Sequence, residues 1–131
     1  MPHLHFEYSA GLETHADLDG LARCLRDALL KTGAAPLGGI RVRGFRADHQ
    51  AIADDGIAGH FLDMELRLGQ GRDASTREAM ADSLYAAAEA HLRPALGDIP
   101  FILSLEVREI DPRFSRKSWS GIHAALRERA R

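Results

Sequence analysis

One pattern, strict alternation followed by a helical stripe and then alternation again, occurs twice in this chain and leaves few folds open to it. From Pro2 to Tyr8, the apolar Leu4, Phe6 and Tyr8 alternate with His3, His5 and Glu7. A period of two reads as a strand with one buried face. Leu18, Leu21, Ala22, Leu25, Ala28 and Leu29 then recur at helical spacing, with Asp17 or Thr14 as cap, Lys31 in the last turn and Gly33 as the stop. Ile40 to Phe45 predicts a second strand, with Ile40 and Val42 on one face and Arg41 and Arg43 on the other. After the irregular, polar stretch from Ala47 to Gly59 the series restarts. Leu62, Met64, Leu66 and Leu68 alternate with Asp63, Glu65 and Arg67. Gly69-Gln70-Gly71-Arg72 forms a tight loop, and Asp73 or Ser75 caps a helix carrying Met80, Leu84, Ala87, Ala88 and Leu92. Pro94 and Gly97 fall near that helix's end, and Phe101, Leu103, Leu105 and Val107 mark a fourth strand.

The two halves are offset by about 58 residues. Within each, a crossover helix makes its two strands parallel and the connection right-handed. The expected fold is therefore α+β: two βαβ units, about 2–47 and 60–110, forming a four-stranded mixed sheet with two helices on one face. A basic tail over 112–131 ends in a short helix over Ile122–Ala130. The whole of 1–131 reads as one domain, since 131 residues suffice for a sizeable core. The second sheet face has no helix to cover it. It is expected to carry Leu, Ile and Phe and to be buried by association of several copies.

Charge and composition narrow the function classes. The net charge of -2 gives no reason to expect nucleic acid or an anionic membrane as partner. The single cysteine, Cys24, excludes an internal disulfide. Leu4–Tyr8 is too short and too polar for a signal segment, and no stretch approaches the roughly 20 apolar residues of a membrane span. A cytoplasmic protein is expected.

Pro2 carries the most specific chemistry. Removal of Met1 leaves a secondary amine held rigid by its own ring, and a general base works best with a pKa near the operating pH. An α-amino group titrates at about 7.7–8.0, and burial or neighbouring cations lower it. Other candidates read as structural. His3 and His5 share a strand face, but no third metal ligand is evident. Cys24 borders an apolar helical stripe. Gly69-x-Gly71 lacks the third glycine of a dinucleotide fingerprint. Phe114 and Trp119 anchor a neighbouring subunit or cover an edge.

Pro2-His3-Leu4-His5-Phe6-Glu7-Tyr8-Ser9 resembles the start of the 5-carboxymethyl-2-hydroxymuconate isomerases of the tautomerase superfamily. Gly33–Arg43, Leu68–Arg72 and Ser104–Ile110 fit the same family in the same order. The resemblance implies a homotrimer of two-unit chains, Pro2 as general base, and no metal or organic cofactor. It implies a small-molecule polycarboxylate substrate from homoprotocatechuate breakdown. Arg41 and Arg72 fall on the family's carboxylate-binding positions. On residues alone, Arg41 and Arg43 read as a solvated strand face. Arg72 either lies on the surface or, following two glycines at a helix start, meets an anion. Arg43 has no assigned role. The alternatives are a keto–enol tautomerase of phenylpyruvate type and a non-catalytic trimeric binding protein.

Overall fold

The computed structural model describes residues 2–131; Met1 lies outside them. The chain runs β1 (His3–Ser9), α1 (Leu18–Lys31), β2 (Arg41–Ala47), β3 (His60–Gly69), α2 (Ala74–Leu96), β4 (Phe101–Ile110) and α3 (Gly121–Arg129), with short 3-10 turns at Leu12–Thr14, Leu37–Gly39 and Pro112–Phe114. The sheet order is β2-β1-β3-β4. β1 is parallel to β2, β3 is parallel to β4, and β1 meets β3 antiparallel. This is the four-stranded mixed sheet the two repeats predict, with a local two-fold relation about the β1/β3 seam.

Local chemistry sets the element ends. Asp17 caps α1 by accepting from the Gly20 amide, and Asp73 caps α2 by accepting from Thr76. Each satisfies a backbone donor that the first helical turn leaves open. Gly33, just past α1, takes the left-handed conformation at φ +71°, which costs glycine little. Between sheet and helices lies the core: Leu4, Phe6, Leu62, Met64, Leu66 and Leu68 from the strands, and Leu21, Leu25, Leu29, Met80, Leu84, Ala88 and Leu92 from the helices. Full burial of each of the larger side chains is worth about 1.5–3 kcal/mol. The helices α1 and α2 both cover this one face. Gly44 sits on it too: a Cβ there would overlap the Phe6 ring, so the absence of a side chain lets the aromatic lie over β2. Cys24 is packed, its Sγ 4.0 Å from the Ala87 carbonyl oxygen.

The other sheet face departs from expectation. It carries mainly charge, not a run of Leu, Ile and Phe. Register places Arg41, His3, Arg67 and Arg108 in one row across the strands, Arg43, His5, Glu65 and Glu106 in the next, and Phe45, Glu7, Asp63 and Ser104 beyond. The reason is the period of two: most of each strand's aliphatic residues turn to the helices, so the charged set shares the opposite face. Apolar groups remain at its ends: Phe61 and Ile102 are register partners there, Ile110 closes β4 on the same side, and Phe45 stands on β2. The uncovered face is thus mainly charged with apolar groups at its ends, rather than a continuous apolar surface.

The third helix is docked at the side. Its His123 ring packs on Gly38, where a Cβ would come within 2.5 Å of Nδ1. Phe114 and Trp119 cover no edge: they are 79% and 97% exposed. No helix among the described residues is long and apolar enough to cross a membrane.

Candidate active site

Topology gathers one end of the sheet into a site. β1 and β2 start there, β3 and β4 finish there, and α2 begins there. Pro2, immediately before β1, is buried. It shares the parity of Leu4 and Phe6, so its ring continues the core side of the strand. Being proline, it has no ladder amide to lose in the middle of a sheet.

His3, the next residue, faces the open side between two strands of cations. Its register partners are Arg41 on β2 and Arg67 on β3. The Arg41 Nη2 lies 3.2 Å from Nε2 and 3.4 Å from Nδ1 of the His3 ring, and so stands across it. Burial, then the positive charges of Arg41, Arg67 and Arg43, push the imidazole down to about 4. At neutral pH His3 is an uncharged hydrogen-bonding group inside a cationic cluster.

Arg72 is placed by the Gly69–Gly71 loop. Its Nη2 donates to the Ala34 carbonyl at 2.6 Å and its Nη1 to the Gly69 carbonyl at 3.3 Å. The guanidinium thus ties the loop after α1 to the loop before α2. Arg41 and Arg72 both stand at the Pro2 end, on separate sides of β1: one on the neighbouring strand β2, the other beyond the end of β3. Beside Arg41 the tail closes a cavity of about 60 Å³ with Gly38, Lys117, Trp119 and His123. Ligand sites are ordinarily several hundred Å³. The cavity that this single chain forms beside Arg41 is far smaller than a polycarboxylate needs.

Sequence reasoning missed two clusters. Arg67 joins the site across β1, a neighbour that only the antiparallel register reveals. At the opposite end of the sheet, the fully buried Ser9 has its Oγ 2.7 Å from His60 Nδ1 and accepts from the Phe61 amide, while the His15 and His60 rings pack edge-on at 5.5 Å. Ser9 is sealed from solvent and fastens β1 to the start of β3. His3 and His5 do not gather ligands: among the described residues, no group of three His, Cys, Asp or Glu side chains is placed to hold a metal ion. His5 Nε2 instead pairs with Glu65 at 3.4 Å.

The state of His3 has a consequence for stability. An unfolded histidine takes its proton near 6.5, whereas the folded chain accepts it only near 4. Between these values the unfolded state binds more protons, so stability falls as pH is lowered through that window. Thermal melts of the protein and of His3→Asn, compared across pH 7.5 to 3.5, should diverge in this interval, the variant losing the smaller part of its Tm. Parallel curves would mean that His3 is not held neutral.

The sequence model of the family "5-carboxymethyl-2-hydroxymuconate isomerase" matches residues 2–126. Among solved structures, a 5-carboxymethyl-2-hydroxymuconate delta-isomerase superposes with a TM-score of 0.86 at 29% identity, covering 96% of this chain and 93% of the other. A 5-carboxymethyl-2-hydroxymuconate isomerase from Deinococcus radiodurans R1 gives the same TM-score and identity, over 95% and 93%. A fused 4-OT that forms a symmetric trimer shares the fold, with a TM-score of 0.63 at 20% identity over 89% and 91%. Comparison with curated protein sequences gave no match.

Proposed function

The chain belongs to the 5-carboxymethyl-2-hydroxymuconate isomerase family, and from that premise we propose that it moves a proton and a double bond within 5-carboxymethyl-2-hydroxymuconate, with Pro2 as the base. The observation that carries this reading is the position of Pro2: a buried proline, one residue before a strand flanked by Arg41 and Arg67. With Met1 removed, its nitrogen is an amine in a cationic setting, and both burial and nearby positive charge favour the neutral, basic form.

The steps balance without another reagent. Pro2 nitrogen takes a proton from the dienol hydroxyl, or from the carbon α to the ketone. The electron pair moves along the conjugated system, and the prolinium returns a proton to a carbon further along. The product is the unsaturated ketone isomer. Guanidinium groups grip carboxylates bidentately and offset negative charge developing on the dienolate oxygen. Arg41 and Arg72 fill these roles. Nothing in this sequence of steps calls on a metal or an organic cofactor.

The small cavity beside Arg41 supports a further part of the reading: a homotrimer, in which a neighbouring copy completes the substrate pocket and meets the charged sheet face. Phe114 and Trp119, exposed in the single chain, suit that contact. Progress curves should show 5-carboxymethyl-2-hydroxymuconate converted with a kcat/KM well above that for phenylenolpyruvate. Equal values would favour the broad keto–enol tautomerase instead, and no turnover of either would favour a binding protein on this scaffold.

A further inference from the structure

The flank between α2 and β4 is unfinished. β4 is the last strand of the sheet, and among the described residues its outer row of N–H and C=O groups has no partner strand. The inward side chains of β3, Leu62, Met64, Leu66 and Leu68, are fully buried, whereas Leu103, Leu105 and Val107 of β4 are only half-buried. Two open grooves lie between α2 and β4 as a result: one of about 310 Å³ beside Tyr85, Leu92 and Phe101, the other of about 280 Å³ beside Ala81, Leu105 and Val107. Arg77 lines the second, and its Nε is buried with no hydrogen-bond partner among the described residues. A buried donor of this kind is costly until an acceptor reaches it.

The tail carries groups that fit this flank. Residues 112–131 hold six of the chain's 17 Lys and Arg but one, Glu128, of its 19 Asp and Glu: a net charge of +5, which leaves -7 on residues 1–111. Trp119 stands almost wholly in solvent, yet its φ of +54° lies in the left-handed region that bulky residues hold only where their surroundings enforce it. Because His123 seats α3 on Gly38, just ahead of β2, Trp119 lies beside Arg41, at the sheet edge away from β4. Three strand spacings, about 14 Å, separate the two edges, so the indole is kept off its own α2–β4 flank. Phe114 and Trp119, five residues apart, span up to about 16 Å when extended, and the two grooves are centred about 13 Å apart along β4.

We infer that residues 113–119 of one copy lie along the open β4 edge of a second copy, with Trp119 in the groove of Tyr85 and Phe101 and Phe114 in that of Leu105 and Val107. The incoming backbone supplies partners for the outer groups of β4 and a carbonyl for Arg77 Nε. Arg113, Arg116 and Lys117 meet an acidic body, on which Glu78 is exposed at the rim of the second groove. The giving and receiving surfaces lie on opposite edges of each chain. The contact is therefore heterologous: it passes from copy to copy and closes into a ring, where a two-fold pair would use one patch twice. The inference rests on the association of copies proposed above and names the surfaces that meet.

Trp119 is the chain's single tryptophan, so its fluorescence reads the contact directly. In the full chain, at concentrations where light scattering shows assembly, its emission should be shifted to the blue and shielded from acrylamide. Dilution to single chains should restore the emission and quenching of a free indole. Trp119→Ala should raise the dissociation constant by roughly thirtyfold or more, the effect of losing an aromatic anchor. Ala81→Phe fills the second groove and should weaken association from the receiving side. The two variants mixed in equal amounts should form pairs and stop there, because the intact tail of one finds the intact flank of the other and no second such contact remains. Where Ala81→Phe does not fold, Glu78→Lys, at an exposed position, takes its place through repulsion of Arg116 and Lys117. Assembly with Trp119 as open to acrylamide as a free indole, unchanged assembly of Trp119→Ala, or a mixture that does not pair would overturn the inference and leave a homotrimer built on other surfaces. A shielded Trp119 in a chain that scatters as a monomer would place the tail on its own body and overturn it too. An unshielded one in such a chain would remove the homotrimer as well.

Discussion

A chain carrying an N-terminal extension that prevents Met1 removal should fold and associate normally, yet isomerise its substrate at close to the background rate. The extension converts the Pro2 nitrogen from an amine to an amide. An amide has no useful basicity, while a positioned general base contributes about 10²–10⁴-fold. A loss of that order is expected in kcat, with unchanged circular dichroism and mass verified for the intact extended chain. Pro2→Ala should do less harm, because a primary amine remains, though a more mobile one. In the native protein the ascending limb of kcat/KM against pH should coincide with the titration of the Pro2 nitrogen followed by NMR. Native-rate turnover by the extended protein would remove Pro2 as the base and with it the proposed reaction, leaving the fold.

The second large effect is at Arg72, where the structure adds a complication. The guanidinium already donates to the carbonyls of Ala34 and Gly69, so Arg72→Ala removes a tie between two loops as well as a cation. Each neutral hydrogen bond of this kind contributes about 0.5–1.5 kcal/mol to stability, which a denaturant titration would register. If Arg72 also grips a substrate carboxylate, kcat/KM for the polycarboxylate should fall roughly tenfold to a hundredfold further than for a mono-carboxylate enol, the worth of a charged hydrogen bond of about 1.5–3 kcal/mol. The ratio between the two substrates separates the roles. An equal loss on both would make Arg72 a loop tie, or place it on the carboxylate the substrates share.

Most of the backbone plan could be read from local signals. Leu62, Met64, Leu66 and Leu68 announce β3 because period two survives for the whole strand, and Asp17 and Asp73 announce their helices because short acceptors satisfy first-turn amides. The repeat then fixes which strands run parallel. The uncovered face is more charged than expected because Leu103, Leu105 and Val107 turn inward with their counterparts on β3, leaving Ile102, Ser104, Glu106 and Arg108 outside. In the site, Pro2 was singled out by its own chemistry, whereas Arg41 was singled out only by the family resemblance, since strand position alone makes it a solvated face. Arg67 was singled out by neither. Its closeness to His3 arises from the pairing of β1 with β3, a contact more than sixty residues long in sequence, and alternation within either strand says nothing of which residue lies opposite. The engagement of Arg72 with Ala34 was hidden for the same reason: it depends on how two separate loops meet.

The local two-fold relation about the β1/β3 seam bears on stoichiometry. It carries β1 onto β3, and at the repeat offset Pro2 has His60 as its counterpart. There the chain runs on without a break, and His60 is held by Ser9. The repeat of strand, helix and crossover therefore has no second chain start to match Pro2. With Pro2 as the reacting amine, each chain offers one equivalent of it, however symmetrical its two halves: a reagent selective for that amine should saturate at one label per polypeptide, not two. The second half serves as frame for the first, so substitutions around His60 should register in unfolding experiments before they register in turnover.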